Sequence, residues 1–211
     1  MSGPIDAIQC LHNAFRRDML QIDGAAYEVA RKEGDISQIL NRFHVMGEIL
    51  DYHAKGEEAA AFTAVNGIVP QFADTYVMDH RELDRLVSGL KLLSKAPDDL
   101  TAARETAAMN QHLRLHLDKE DKFMYPLLQT RLSGPEQASM VGRMSGGVPP
   151  EKAPMLVNWL YPLLDPGERA VMTGVWKLLM PAEVFEKHRS LIRKTIGVEW
   201  DDLVRRLPGL E

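Results

Sequence analysis

Proline sets the lengths of the helices this chain can form. After Pro4 none occurs until Pro70, and only Pro97 stands between Pro70 and Pro126. Eight of the twelve prolines fall from 126 to 181. A proline ring removes a helical hydrogen bond and collides with the preceding turn. Long helices therefore belong to the first part of the chain and shorter ones to the rest.

The apolar residues of that first part recur at helical spacing. Ile8, Leu11, Phe15, Met19 and Ile22 share one face of a helix expected over 5–33, closed by Gly34-Asp35. Asp35 or Ser37 can cap the next helix. Its stripe runs through Ile39, Phe43, Met46, Leu50, His53, Glu57 and Ala60, and Asn66-Gly67 followed by Pro70 ends it. A third helix, starting near Phe72, carries Tyr76, His80, Leu83, Val87 and Leu90. Pro97-Asp98-Asp99 opens a fourth, with Met109, Leu113, His116, Glu120, Phe123 and Leu127 on its inner face. Four long amphipathic segments with short connections predict an all-α, up-down-up-down four-helix bundle over 1–132. No alternating strand pattern of useful length is present. Residues 133–211 predict three or four shorter helices that pack on the bundle or form an interface. Asp165-Pro166-Gly167-Glu168 reads as the start of one of them, with N-cap, proline at the first position and Glu at the third.

Polar residues interrupt these apolar stripes. His53 and Glu57 stand four apart, as do His116 and Glu120, which on a helix is about 6 Å of rise and a rotation near 40°. His12 lies on the first stripe and His80 on the third. One histidine on an apolar face is more often a hydrogen-bonded core residue than a ligand, and one His-x-x-x-Glu pair is often a surface contact. Six such residues spread over the inner faces of all four helices form a metal site instead. Two carboxylates facing one axis would repel each other, and cations between them remove that conflict. If Glu57 and Glu120 both bridge, each of two ions receives two nitrogens and two oxygens, a set suited to iron rather than calcium. A solvent-derived oxo or hydroxo bridge would leave room at each ion for a small diatomic or peroxide. Manganese and zinc are alternatives that affinity order does not separate.

His112, four residues before His116, is either an additional donor near the site or a partly exposed residue. Tyr76, one turn from His80, is either a donor to a ligand or core, and core is favoured. His44 is expected to face outward, His188 to be solvated, and Glu58 to be a rim charge about 100° from Glu57. Trp159, Trp176 and Trp200 either anchor a partner contact or fill a core.

Composition narrows the functional classes. A net charge of −5, with no Lys/Arg run, argues against a nucleic-acid partner. No apolar stretch approaches the roughly 18 residues of a membrane span. The lone Cys10 excludes an intrachain disulfide and a four-cysteine cluster. With no basic region leading into an apolar run near Met1, it predicts a reducing, cytoplasmic setting.

A lone His on the first and third helices and His-x-x-x-Glu on the second and fourth resemble the hemerythrin-like (His-His-Glu cation-binding) family over about residues 5–130. That resemblance implies a non-haem di-iron centre bridged by two carboxylates, with His12, His53, Glu57, His80, His116 and Glu120 as ligands. Phe123-Met124-Tyr125-Pro126 is similar to the family's usual ending of helix four. Ferritin-like proteins instead pair Glu and His at three-residue spacing and place lone glutamates on the other helices. Helix three offers His80 alone, as in four-His variants, which counts against a reversible oxygen carrier. The segments Glu136–Leu160 and Asp165–Pro181 are similar to extensions of some hemerythrin-like proteins, including plant iron-sensing ubiquitin ligases. The expected function is binding or reduction of O2, NO or H2O2 at the di-iron centre. The alternative is an iron- or oxygen-responsive regulatory module without turnover. Gly56, inside the first motif, is unusual because a mid-helix glycine costs ~1 kcal/mol relative to alanine; close helix packing would explain it.

Overall fold

A computed structural model of the protein describes residues 3–32, 34–93, 95 and 98–210. The expected helix boundaries at Glu33 and Pro97 lie outside the described residues, as does Met1. Four long helices come first: α1 (Asp6–Lys32), α2 (37–68), α3 (Asp74–Leu93) and α4 (99–131). α1 packs against α2 and α4, and α3 packs against α2 and α4, which closes the up-down-up-down bundle. No strand occurs among the described residues, and no helix there is long and apolar enough to cross a membrane.

The stripes bury as their spacing predicts, with Phe15, Met19, Phe43, Met46 and Leu90 almost free of solvent. The helix starts differ in detail. Asp35 accepts the backbone N–H of Ser37 at 2.8 Å, but the residue in the N-cap position is Ile36. α3 begins at Asp74 rather than near Phe72, because 69–73 form a turn in which Gln71 takes a positive φ of 65°. Asn66 accepts the N–H of Ala73 at 2.9 Å and ties that turn to the end of α2.

Neither α2 nor α4 is α-helical throughout. α2 passes from Ser37–Gly56 through a π turn at Glu57–Ala61 into Phe62–Ile68. α4 passes from Asp99–Lys119 through a π turn at Glu120–Met124 into Tyr125–Arg131. The N–H of Phe62 reaches the carbonyl of Glu57, and that of Tyr125 the carbonyl of Glu120, five residues back. Each wide turn begins at the Glu of a His-x-x-x-Glu motif, in keeping with the concentration of such bulges at functional sites.

The extra residue re-phases the inner face. His53, Glu57, Ala61 and Val65 are all buried, as are His116, Glu120, Met124 and Leu128. Three steps of four drift by roughly 120° in a pure α-helix, and one π turn absorbs about 100° of that. Phe123, expected inside, is consequently 61% exposed, and Leu127 is half-buried. α4 also continues past Tyr125-Pro126 to Arg131 instead of ending there. Pro126 directly follows the wide turn, where its missing N–H and its ring are more easily accommodated than in a regular helix.

The remaining helices are α5 (Gly134–Ser145), α6 (Ala153–Leu163), α7 (Pro166–Leu179), α8 (Ala182–Ile196) and α9 (Trp200–Arg206). α5 lies across the π turn of α2, α6 packs on α1 and α2, and α7 packs on α1. The expected capping box is present: Asp165 accepts the N–H of Glu168 at 2.8 Å, and Glu168 accepts that of Asp165 at 2.9 Å. Glu168 also receives Asn13 at 2.8 Å and pairs with Arg17 on α1. All three tryptophans are buried, so they fill the core. Trp159 donates its indole N–H to the buried Asp18 of α1 at 2.6 Å.

Gly56 has a packing role. A Cβ added there would stand 2.7 Å from the carbonyl oxygen of Met144 and 3.2 Å from its carbonyl carbon and Cα. Only glycine lets the backbone of α5 approach α2 this closely, one residue before Glu57.

Candidate metal centre

All six residues singled out from the sequence converge inside the bundle, and all are buried. His12, His53, Glu57 and Glu120 form one quartet; Glu57, His80, His116 and Glu120 form a second. Within each quartet one donor atom per residue lies within 4.8 Å of the others. In the first, Nε2 of His12 is 3.0 Å from Nε2 of His53 and 3.8 Å from Oε1 of Glu57. Oε1 of Glu57 is 3.3 Å from His53, and Oε2 of Glu120 is 3.7 Å from His12. In the second, Oε2 of Glu57 is 3.4 Å from His80, and Oε1 of Glu120 is 3.3 Å from His116. Donors about 2.1 Å from a common ion stand roughly 3–4 Å apart, so these spacings fit a cation in each quartet. The two carboxylates belong to both quartets, each directing one oxygen to either side.

Among the described residues, four buried side-chain atoms have no hydrogen-bond partner: Oε2 of Glu57, both carboxylate oxygens of Glu120 and Nε2 of His80. An unpaired buried polar atom costs about 1–3 kcal/mol, and more when charged. Four of them aimed into one interior match the donor set of bound cations. Their surroundings shift the two carboxyls in opposite directions. Burial, and then the charges of Glu57, Asp121 and Asp79, push Glu120 well above the usual range. Burial would also raise Glu57, but His53, His12 and His80 hold it well below. Burial presses His53 down to about 3, which favours the neutral ring that a cation needs as a ligand.

Outside the quartets lies a ring of carboxylates that the sequence reading did not assign. Asp121 is 2.8 Å from Nδ1 of His12 and is itself held by Arg16 at 2.7 Å. Glu58 is exposed, as expected of a rim charge, and also lies 3.0 Å from Nδ1 of His80, which makes it a partner of the site. Asp79 stands 3.4 Å from Nδ1 of His116 and pairs with Lys119. Such partners orient ligand rings and raise their basicity. A signal was present: an acid directly follows the Glu of both motifs, as Glu57-Glu58 and Glu120-Asp121. The π turn redirects the second acid, so that Glu58 reaches α3 and Asp121 reaches α1. Tyr125, fully buried, donates to Oε1 of Glu57 at 2.5 Å.

His112 is exposed and outside both quartets. Tyr76 is core, with its hydroxyl donating to the carbonyl of Lys119 at 3.4 Å. His44 is half-buried on α2, away from both quartets. His188 is half-buried, its Nδ1 2.9 Å from the carbonyl of Val184 and its ring edge-on to Trp176. A cavity of about 340 Å³ between α2 and α3 reaches His53, His80 and His116. Leu50, Leu83 and Val87 line it together with Asp51, Asp84, Ser88 and Lys91.

A four-helix bundle that turns imidazoles from every helix, and two shared carboxylates, toward its axis is of the cation-binding class. The chain belongs to the hemerythrin HHE cation-binding domain family, whose pattern matches residues 3–128. Among curated proteins it is similar to the zinc finger protein BRUTUS of Arabidopsis thaliana, with 26% identity over 188 residues. A BRUTUS-like zinc finger protein of the same plant is 24% identical over 192 residues. Each match covers 86% of this chain and 15% of the relative. The chain thus spans about a seventh of the length of these relatives, and the similarity runs beyond the family pattern into the C-terminal helices. No solved structure matches it.

Proposed function

We propose that the chain is a non-haem di-iron protein that binds or reduces a small oxidant such as dioxygen, nitric oxide or hydrogen peroxide. One observation carries this reading: Glu57 and Glu120 are members of both quartets, as bridging carboxylates would be. His12 and His53 would complete one iron position, and His80 and His116 the other. Bound iron supplies Lewis acidity and reversible electron exchange. The chain's own residues neutralise, orient and enclose. The carboxylates offset the cationic charge, the outer carboxylates fix the imidazole rings, and the cavity beside His53, His80 and His116 admits a small molecule. Residues 1–132 would carry the site, and 133–211 would cover its α1/α2 side. The lone, buried Cys10 suits a reducing cytoplasm. The test is elemental analysis of purified protein loaded with ferrous iron, with an optical spectrum taken after exposure to air. Two irons per chain and ferric charge-transfer bands are expected, with both much reduced in His116→Ala. Iron content near zero in the unaltered protein refutes the reading.

A second reading rests on Gly56. The residue before Glu57 touches the backbone of Met144, so order imposed on the π turn by a cation would reach α5 directly. The chain would then be an iron-responsive regulatory module whose C-terminal helices present a surface to a protein partner or a second copy. Limited proteolysis with and without iron tests it. An unchanged cutting pattern after chelation removes its physical basis.

A further inference from the structure

We infer that the two cation positions are unequal: the His80/His116 position fills first and holds its ion more tightly than the His12/His53 position. This rests on the two-cation reading above and adds an order of loading to it. The ligand positions of the two halves of the bundle correspond. His12 matches His80, His53 matches His116, Glu57 matches Glu120, and Glu58 matches Asp121. The outer bonds match as well, since Asp121 supports His12 at 2.8 Å and Glu58 supports His80 at 3.0 Å. Two departures from that correspondence act on the ligands of one position in the same direction.

The first is the residue before each lone histidine. Before His80 it is Asp79, which faces Nδ1 of His116 at 3.4 Å. Before His12 it is Leu11, and among the described residues no carboxylate faces the second nitrogen of His53. A carboxylate partner on a ligating imidazole is worth about 10–100-fold in metal affinity. The second is the residue five beyond each motif Glu. Phe62 lies against His80, and Tyr125 occupies the corresponding place against His12, with ring centroids 5.0 Å and 5.7 Å away. Phe62 has no hydroxyl, and Glu120 has no hydrogen-bond partner. Tyr125 donates to Oε1 of Glu57, the oxygen on the His12/His53 side. A strong hydrogen bond to that oxygen withdraws the electron density it would give a cation. Both departures therefore weaken the same position.

The test is titration of cation-free full-length protein with cobalt(II), following the visible d–d bands and competition with a chelating dye. Two phases about 10–100-fold apart are expected. His53→Ala should retain the tight phase, and His80→Ala should lose it. Tyr125→Phe, which copies Phe62 and is nearly isosteric, should tighten the weak phase. Asp79→Asn should loosen the tight one, and combining the two should merge the phases. Two equivalents bound with one affinity in the unaltered protein, or a tight phase lost in His53→Ala and kept in His80→Ala, overturns the inference while leaving the two-cation reading intact. Absence of any cobalt binding overturns that reading, and the inference with it.

Discussion

Replacing Gly56 by alanine sets helix propensity against packing. In an unobstructed helix interior the change stabilises by ~1 kcal/mol. Gly24 in α1 is such a case, since a Cβ there meets nothing within 4 Å. At Gly56 the new Cβ would stand 2.7 Å from the carbonyl oxygen of Met144. That is short of ordinary contact by about 0.7 Å. The obstruction is main chain and cannot rotate away, so α5 has to shift as a body. Overpacking of this kind costs about 1–3 kcal/mol, which places Gly56→Ala that far below Gly24→Ala in stability. At roughly 2–4 °C per kcal/mol for a chain of this size, Gly24→Ala should melt a few degrees above the unaltered protein. Gly56→Ala should melt at or below it. Urea unfolding followed by circular dichroism gives the free energies, and limited proteolysis within 133–152 reports whether α5 has lifted. Equal stabilisation by the two substitutions, with α5 equally protected, would refute the account of Gly56.

Iron or cobalt at one hundred times its dissociation constant should add about 2.7 kcal/mol of stability per site. That corresponds to roughly 5–10 °C in melting temperature. The double substitution His53→Leu with His116→Leu should abolish the increase, and a cation-dependent shift surviving in that variant contradicts the assignment. Trp159→Phe removes the indole donor to Asp18, a bond to a carboxylate worth about 1.5–3 kcal/mol. A fall in urea midpoint without loss of cation binding is expected, and an unchanged midpoint argues against an anchoring role. Burial, and then the charges of Glu168, Asp165 and Asp6, push the Cys10 thiol up to about 12. Thiolate is therefore scarce in the native state below that pH, and iodoacetamide at pH 8 should label Cys10 no faster than the protein unfolds. Labelling at the rate of a free thiol would show that the site is open.

Much of the bundle was legible because its cause is local. Apolar residues three and four apart define helices wherever they sit, and proline concentrated in 126–181 divides long helices from short ones. The His-x-x-x-Glu pairs were readable for the same reason, since four residues make about one turn. The Asp165–Glu168 capping box was equally local.

What escaped the sequence depends on atoms distant along the chain. Phe123 was placed inside and lies outside because a π turn starts at Glu120. Residues 116, 120, 124 and 128, stepping by four without drift, carried a trace of that turn. Glu58 was read as a rim charge and Asp121 was given no role, yet each supports a histidine on a neighbouring helix. The role of Tyr125 required Glu57, 68 positions away, to be beside it. Gly56 was a helix-weakening anomaly until Met144 supplied the neighbour that forbids a side chain. Short-range periodicity determines which residues face inward. Which of those meet, through which atoms, is settled only when separate helices are pressed together, because hydrogen bonding and steric exclusion act over ångströms in space whatever the distance along the chain.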